Sequence, residues 1–260
     1  MQSARDYSPS VGPQCRCPRW GRAGDVAFTF VLVLLIPRIS AWGADFVQAV
    51  AGSIEPQRLF FRISIHHLFQ LALTILLMAM LGGTNLFPWG FNANQLRFSL
   101  KVFGWFCLIY FFQVFLVVVL PDLKSGRLPR FNPPVSLAGA AGILAFQFLL
   151  SGSCEEPLFR GFVMTFLARS WKQTFRIGSV VLPVSGLWAT LFFMVAHAEI
   201  TFSPFSITAS FPQQLLALEL GLYYAAVFHR TGSLVGPTLS HGYSNGVLYL
   251  ILFAGTLLDR

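Results

Sequence analysis

Charged side chains are scarce in this chain of 260 residues. Asp, Glu, Lys and Arg together make up 11% of it, whereas soluble domains carry about 25% charged residues. Hydrophobic residues make up 55% of the sequence, and the mean hydropathy is +0.65. This composition excludes an ordinary soluble globular domain and indicates an integral membrane protein, in which 28 Phe and 6 Trp side chains suit contact with lipid.

Cysteine and acidic residues are also few. The four cysteines are Cys15, Cys17, Cys107 and Cys154; they predict no disulfide framework, and the first pair lacks the companion His or Cys residues of a metal site. Lys and Arg outnumber Asp and Glu by 18 to 10, which gives a net charge of +8. No basic stripe with interleaved aromatics lies outside the apolar segments, so we expect no nucleic-acid partner. We assign the excess charge to loops that meet anionic lipids.

Long uncharged runs predict an all-α, multi-pass transmembrane bundle of about seven helices. A helix needs about 20 mainly apolar residues to cross the hydrocarbon core. The segments that meet or approach this requirement are Asp25–Gly43, Leu68–Leu96, Val102–Pro121, Phe131–Cys154, Ile177–Ala196, Gln213–Phe228 and Ser233–Leu258. Segments rich in Gly, Pro and charge predict loops at residues 82–85, 121–134, 169–176 and 203–212.

The chain divides into a tail and one membrane domain. Residues 1–24 carry four arginines and three prolines, and their polarity does not fit a signal peptide. We expect a disordered, basic N-terminal tail there. Residues 25–258 are predicted to form a single membrane domain, without an internal repeat.

Three ionisable residues interrupt the apolar pattern between Ser153 and Gly161. Glu155, Glu156 and Arg160 lie where a membrane helix is expected, and each costs about 2.5 to 3.5 kcal/mol at the centre of such a helix. Glu156 and Arg160 are four residues apart, so their spacing predicts an ion pair one helical turn apart. Glu155 points about 140° away from Arg160 around the helix. It therefore needs a partner on another helix or in a water-filled cleft.

Pro157 directly follows the two glutamates. It lacks an amide donor and frees the carbonyl group four residues earlier, so a kink or a fresh helix start is expected beside the carboxylates. The plainer interpretation of this segment is that its charges mark a helix end and form salt bridges at the membrane interface.

Two histidines and an asparagine add polar groups to other apolar segments. His197 ends one such segment, and His241 lies four residues before Asn245, so these last two share a helix face. Either histidine alone suits a hydrogen bond in helix packing. Together with Glu155, they can hold a water molecule, deprotonate it and stabilise a tetrahedral oxyanion. The set Glu155, His197 and His241 could instead ligate zinc and leave a position open for water, although no His-Glu-x-x-His helix is present.

Other polar residues in or beside apolar segments are assigned to the membrane interface. The pair His66–His67 follows Arg62 in an interfacial segment, the pair His229–Arg230 closes a helix, and Glu199 lies at a helix end. We expect none of them in a functional site.

These motifs resemble the signature of the CAAX protease and bacteriocin-processing proteins, the CPBP or Abi family of intramembrane proteases. The signature is Glu-Glu-x-x-x-Arg, then Phe-x-x-x-His, then His-x-x-x-Asn or Asp. The three pieces occur in this order, as Glu155 to Arg160, Phe193 to His197 and His241 to Asn245. The resemblance covers roughly residues 135–255, and it implies an all-helical membrane fold with a conical cavity.

The resemblance also implies a chemistry. Glu155 would activate water with the help of His197, and the other signature residues would hold the water, stabilise the oxyanion or orient the site. The implied catalytic residues are Glu155, Glu156, Arg160, His197, His241 and Asn245. Zinc is a candidate cofactor, with Glu155, His197 and His241 as candidate ligands, and a metal-independent mechanism is equally compatible with the sequence.

The implied substrate is a peptide bond in a membrane-associated or lipidated, CAAX-like peptide, and the expected location is a bacterial plasma membrane. Two other functions stay open. A proton-coupled transporter also uses intramembrane Glu, His and Arg, although the polar groups cluster in the C-terminal half and no inverted repeat is visible. A non-catalytic scaffold or immunity protein would keep the fold and bind a peptide.

Overall fold

The computed structural model describes residues 20–51, 60–131, 136–202 and 204–258. These residues form a bundle of seven helices, which confirms the predicted fold class. A single 3₁₀ turn at Phe87–Trp89 precedes the third helix. The helices are α1 (Gly21–Ala51), α2 (Phe61–Gly82), α3 (Leu96–Lys124), α4 (Leu137–Leu167), α5 (Val184–Ala196), α6 (Phe211–Thr231) and α7 (Val235–Leu258).

Four of the described helices, α1 to α4, are long and apolar enough to cross a membrane. Helix α5 has only 13 residues, or about 20 Å at 1.5 Å per residue, which is shorter than the hydrocarbon core. The prediction of a membrane span from Ile177 is therefore wrong at its start, because the helix begins at Val184. Helices α6 and α7 have 21 and 24 residues.

Two antiparallel hairpins flank α5. Strand β1 (Thr174–Ile177) pairs with β2 (Val180–Pro183), and β3 (Glu199–Phe202) pairs with β4 (Phe205–Thr208). Gly178 supplies the positive φ of +59° that the first turn needs. The prediction of loops at residues 169–176 and 203–212 is wrong where these strands form.

The N-terminal boundary also differs from the prediction. Helix α1 begins at Gly21, so residues 21–24 are helical, although they were expected to belong to the tail. Residues 1–19, which include Cys15 and Cys17, lie outside the described residues.

Helix α4 carries both glutamates and changes its hydrogen-bonding pattern around them. The Ser136 side chain accepts a hydrogen bond from the Gly139 amide at 3.0 Å and so caps the helix. An α-helical turn, Gly152–Glu156, lies between two π-helical segments, Phe146–Ser151 and Pro157–Met164. The helix does not begin anew after Pro157, because π-helical bonding accommodates the missing amide donor. Such segments are rare and often occur at functional sites.

Close contact between α4 and α7 depends on glycine. A Cβ atom on Gly152 would lie 2.5 Å from the carbonyl oxygen of Thr238, and one on Gly242 would lie 2.6 Å from that of Phe148. Small residues let helix backbones approach each other in this way. The contact brings the glutamate-bearing turn of α4 directly against the histidine-bearing turn of α7.

Candidate active site

The centre of the site is a buried network of Glu156, Arg160 and His241. Arg160 Nη1 donates to Glu156 Oε1 at 3.0 Å, and His241 Nδ1 donates to the same oxygen at 2.7 Å. Arg160 Nη2 also donates to the carbonyl oxygen of Gly221 at 3.1 Å. The predicted ion pair is therefore present, and it joins α4 to α6 and α7.

The network offsets part of the cost of burying two charges, while Glu156 Oε2 and Arg160 Nε have no hydrogen-bond partner among the described residues. Neither Glu156 nor Arg160 exposes any side-chain surface, and a buried ion pair is tolerated only when hydrogen bonds accompany it. The rings of Phe193 and Tyr224 lie 4.7 Å and 5.1 Å from the Arg160 guanidinium carbon. Aromatic faces attract a cation at this distance, so the arginine is held on several sides.

The ring of His241 is fixed in orientation. A neutral His241 that donates to Glu156 through Nδ1 leaves Nε2 as an acceptor. Tyr224 stacks on the imidazole with ring centres 5.3 Å apart. The Tyr224 hydroxyl meets the hydroxyl oxygen of Ser244 at 3.0 Å, and Ser244 donates to the His241 carbonyl oxygen at 2.9 Å. These contacts leave one nitrogen of His241 free for chemistry.

Glu155 finds its partner on α2, and that partner is His67. Glu155 Oε1 lies 2.9 Å from His67 Nε2, while His67 Nδ1 donates to the Ile63 carbonyl oxygen at 2.9 Å. Because Nδ1 already donates, the bond between Nε2 and Oε1 requires one proton between the two side chains, on the ring or on the carboxyl group. The expectation of a partner on another helix is confirmed.

The assignment of His67 to the membrane interface is wrong. His67 is buried, whereas His66 beside it is half-buried. The buried residues of α2 include His67, Gln70 and Thr74, which recur at helical spacing. This polar stripe on one face of an otherwise apolar helix is a sequence signal that could have identified His67.

His197 and Asn245 complete the set of predicted residues. His197 is half-buried at the end of α5, and its Nδ1 donates to the Phe193 carbonyl oxygen at 2.8 Å. The Phe193 ring lies 4.3 Å from the His197 ring and 5.7 Å from the His241 ring, so it spans the gap between them. Asn245 is half-buried one turn after His241, and its side chain makes no hydrogen bond to the described residues.

The three histidines His67, His197 and His241 all lie close enough to interact electrostatically with the Glu155 carboxylate. The site thus gathers groups from α2, α4, α5 and α7. Of the other polar residues assigned to the interface, Glu199 is exposed at the start of β3, and Arg230 lies over the Phe98 ring at 5.5 Å.

A metal site would need at least three ligands within reach of one ion. Among residues 20–51, 60–131, 136–202 and 204–258, no group of three His, Cys, Asp or Glu side chains has that arrangement. His241 and His197 use only Nδ1 in hydrogen bonds, to Glu156 and to the Phe193 carbonyl oxygen, and a zinc-ligating histidine usually donates its other ring nitrogen in this way. Zinc held by Glu155, His197 and His241 therefore stays a prediction.

Comparison with known proteins identifies the part of the chain that carries this site. Residues 137–247 match the family model described as type II CAAX prenyl endopeptidase Rce1-like. No curated protein and no solved structure matches the chain. The matched segment begins with the first residue of α4 and ends two residues after Asn245. It includes every predicted site residue and leaves out His67.

Proposed function

We propose that this chain is an intramembrane protease of the CPBP family, which the match of residues 137–247 to the Rce1-like family model supports, and that it hydrolyses a peptide bond by means of water activated by Glu155. The family match and the four long apolar helices support an integral membrane protein that is a CAAX protease-like hydrolase.

The difference between the two neighbouring glutamates carries the proposal. Glu156 is fully buried and bonded to Arg160 and His241, whereas the Glu155 side chain is 17% exposed. Two carboxylates in different environments take different roles in catalysis. The exposed surface of Glu155 suits a general base that meets water, and the buried Glu156 suits the orientation of His241.

The proposed reaction has two steps. Glu155 removes a proton from water, and the resulting hydroxide adds to the carbonyl carbon of the scissile bond. The tetrahedral intermediate then breaks its C–N bond while the proton on Glu155 passes to the leaving nitrogen. General base catalysis contributes about 10²- to 10⁴-fold to such a reaction.

The histidines and Asn245 would assist at the carbonyl group. His197 has Nδ1 bonded to Phe193, so its Nε2 is free to bind the attacking water. The amide group of Asn245 can donate a hydrogen bond to the oxyanion, and His241 can do the same through Nε2 when it is protonated on both nitrogens.

We propose as substrate a membrane-associated peptide with a prenylated, CAAX-like end. The family description names prenyl endopeptidases. Helices α1 to α3 present exposed large apolar side chains, among them Trp42, Phe46, Met80 and Trp105, which suit a lipid environment. Residence in a bacterial plasma membrane stays a prediction.

The test is cleavage of a peptide panel by purified protein in detergent. The panel pairs farnesylated CAAX peptides with the same peptides lacking the lipid, and it compares wild type with Glu155→Gln. His229→Ala is the control, since His229 is half-buried at the end of α6 and outside the site. We expect cleavage by wild type and by the control, and loss of at least about 10²-fold in Glu155→Gln.

Two results would count against parts of the proposal. Cleavage that persists in Glu155→Gln contradicts the role of Glu155 and means that another group activates the water. Equal cleavage with and without the lipid contradicts prenyl specificity alone. A chelator arm addresses zinc separately: activity lost with chelator and restored by zinc would establish a metalloprotease, whereas the side-chain mechanism predicts no loss.

A further inference from the structure

We propose that His67, on α2 and outside the matched segment, is a positioning residue that holds the Glu155 carboxylate in its working orientation. The inference rests on the proposed function and adds a component that none of the signature motifs contains. Through His67, helix α2 contributes to the active site.

Contacts other than the one with Glu155 fix the orientation of the His67 ring. Its Nδ1 donates to the Ile63 carbonyl oxygen at 2.9 Å, one turn earlier on α2. Its ring packs edge-on against the Phe146 ring at 4.8 Å and is buried. A ring held on both sides presents Nε2 in one direction, towards Glu155 Oε1 at 2.9 Å.

A second contact links α2 to the same turn of α4. Gln70 Nε2 donates to the Cys154 carbonyl oxygen at 3.5 Å, and Gln70 is three residues after His67 on the same face. The turn Gly152–Glu156 lies between two π-helical segments, so its backbone bonding changes on both sides. The contacts from α2 give this turn an anchor outside its own helix.

The contact also gives the two carboxylate oxygens of Glu155 different roles. His67 occupies Oε1, and Oε2 has no hydrogen-bond partner among the described residues. Oε2 is therefore left for water. Without His67, the carboxylate is free to turn among its rotamers. A misplacement of about 1 Å can cost about 10²-fold in rate, so the loss is expected in kcat and not in KM.

The experiment compares His67→Ala and His67→Gln with wild type and with His229→Ala. A glutamine amide can donate to Glu155 from nearly the same position as Nε2, so it preserves the hydrogen bond. We expect kcat to fall about tenfold to hundredfold in His67→Ala with little change in KM, and to recover most of that loss in His67→Gln. Equal loss in both variants, or a kcat of His67→Ala within about twofold of wild type, would overturn the proposal.

A second measurement does not depend on activity. The chain has only 5 histidines, so nitrogen NMR of protein labelled at histidine can resolve His67, which is identified by its disappearance in His67→Ala. We expect the Nε2 resonance of His67 to move in Glu155→Gln while that of His229 stays in place. An unmoved His67 resonance overturns the inference even if the protease is active. If wild type cleaves no peptide, the proposed function fails, and a moved resonance still supports the contact.

Discussion

Arg160 and Glu156 lie one turn apart on α4 and form an ion pair of 3.0 Å that is wholly buried. The same carboxylate oxygen accepts the Nδ1 proton of His241, and the arginine reaches the Gly221 carbonyl oxygen. One pair of charges therefore fixes the relative positions of three helices. It also fixes the histidine whose other nitrogen is free for chemistry.

Removal of Arg160 should destabilise the protein strongly. In Arg160→Met, Glu156 stays buried without its cation, and such a loss costs about 3 to 5 kcal/mol. The matched control is Arg62→Met, because Arg62 pairs with Asp45 at 2.6 Å in an exposed position, where an ion pair contributes about 0 to 1 kcal/mol. Thermal unfolding in detergent measures both. Equal shifts in the two variants would contradict the structural role of the buried pair.

Substitution of the two glutamates should affect cleavage and stability differently. Glu155→Gln should lose cleavage while its unfolding temperature stays close to that of wild type, because Glu155 is partly exposed and bonded to one side chain. Glu156→Gln should lower both cleavage and stability, since an amide cannot balance the buried Arg160 charge. Assays of kcat and thermal unfolding on the same preparations separate the two patterns. The same response in both variants would mean that the division of roles is wrong.

How much the sequence predicts depends on how local each feature is. The Glu156–Arg160 pair follows from a spacing of four on one helix, so it needs no knowledge of the fold. The contact between Glu155 and His67 joins residues 88 positions apart and depends on how α2 packs against α4. Spacing alone therefore could not assign it, although the polar stripe on α2 is visible in the sequence.

The hairpins around α5 illustrate another limit. Strand β2 (Val180–Pro183) begins as an apolar run, and short apolar runs do not distinguish a strand from part of a buried helix. The β-branched residues Val180 and Val181 favour a strand. However, the apolar run continues from β2 directly into α5. Because hydrophobicity does not change at this boundary, the predicted helix begins too early.

Tyr224 should contribute to activity through His241. In Tyr224→Phe the ring still stacks on the imidazole and only the contact with Ser244 is lost, which costs about 0.5 to 1.5 kcal/mol of stability. Tyr224→Ala removes the stacked ring and leaves a cavity, so stability should fall by about 3 to 5 kcal/mol and kcat should fall with it. Unfolding and cleavage are measured for both. A larger loss of kcat in the phenylalanine variant would contradict the stacking role.

The approach of α4 to α7 should be sensitive to one added methyl group. In Gly152→Ala the new Cβ would meet the Thr238 carbonyl oxygen at 2.5 Å, and backbone cannot move aside as a side chain does. Overpacking of this kind costs about 1 to 3 kcal/mol, and it should separate Glu156 from His241, so kcat should fall as well.

The control for this substitution is Gly104→Ala on α3, where a Cβ would meet nothing within 4 Å. Alanine is a better helix former than glycine by about 1 kcal/mol, so this variant should be as stable as wild type or more stable, with unchanged cleavage. Opposite signs in the two unfolding shifts would show that close packing at Gly152, and not helix propensity, sets the outcome. If Gly152→Ala is also stabilising and fully active, then contact between the α4 and α7 backbones does not position Glu156 and His241.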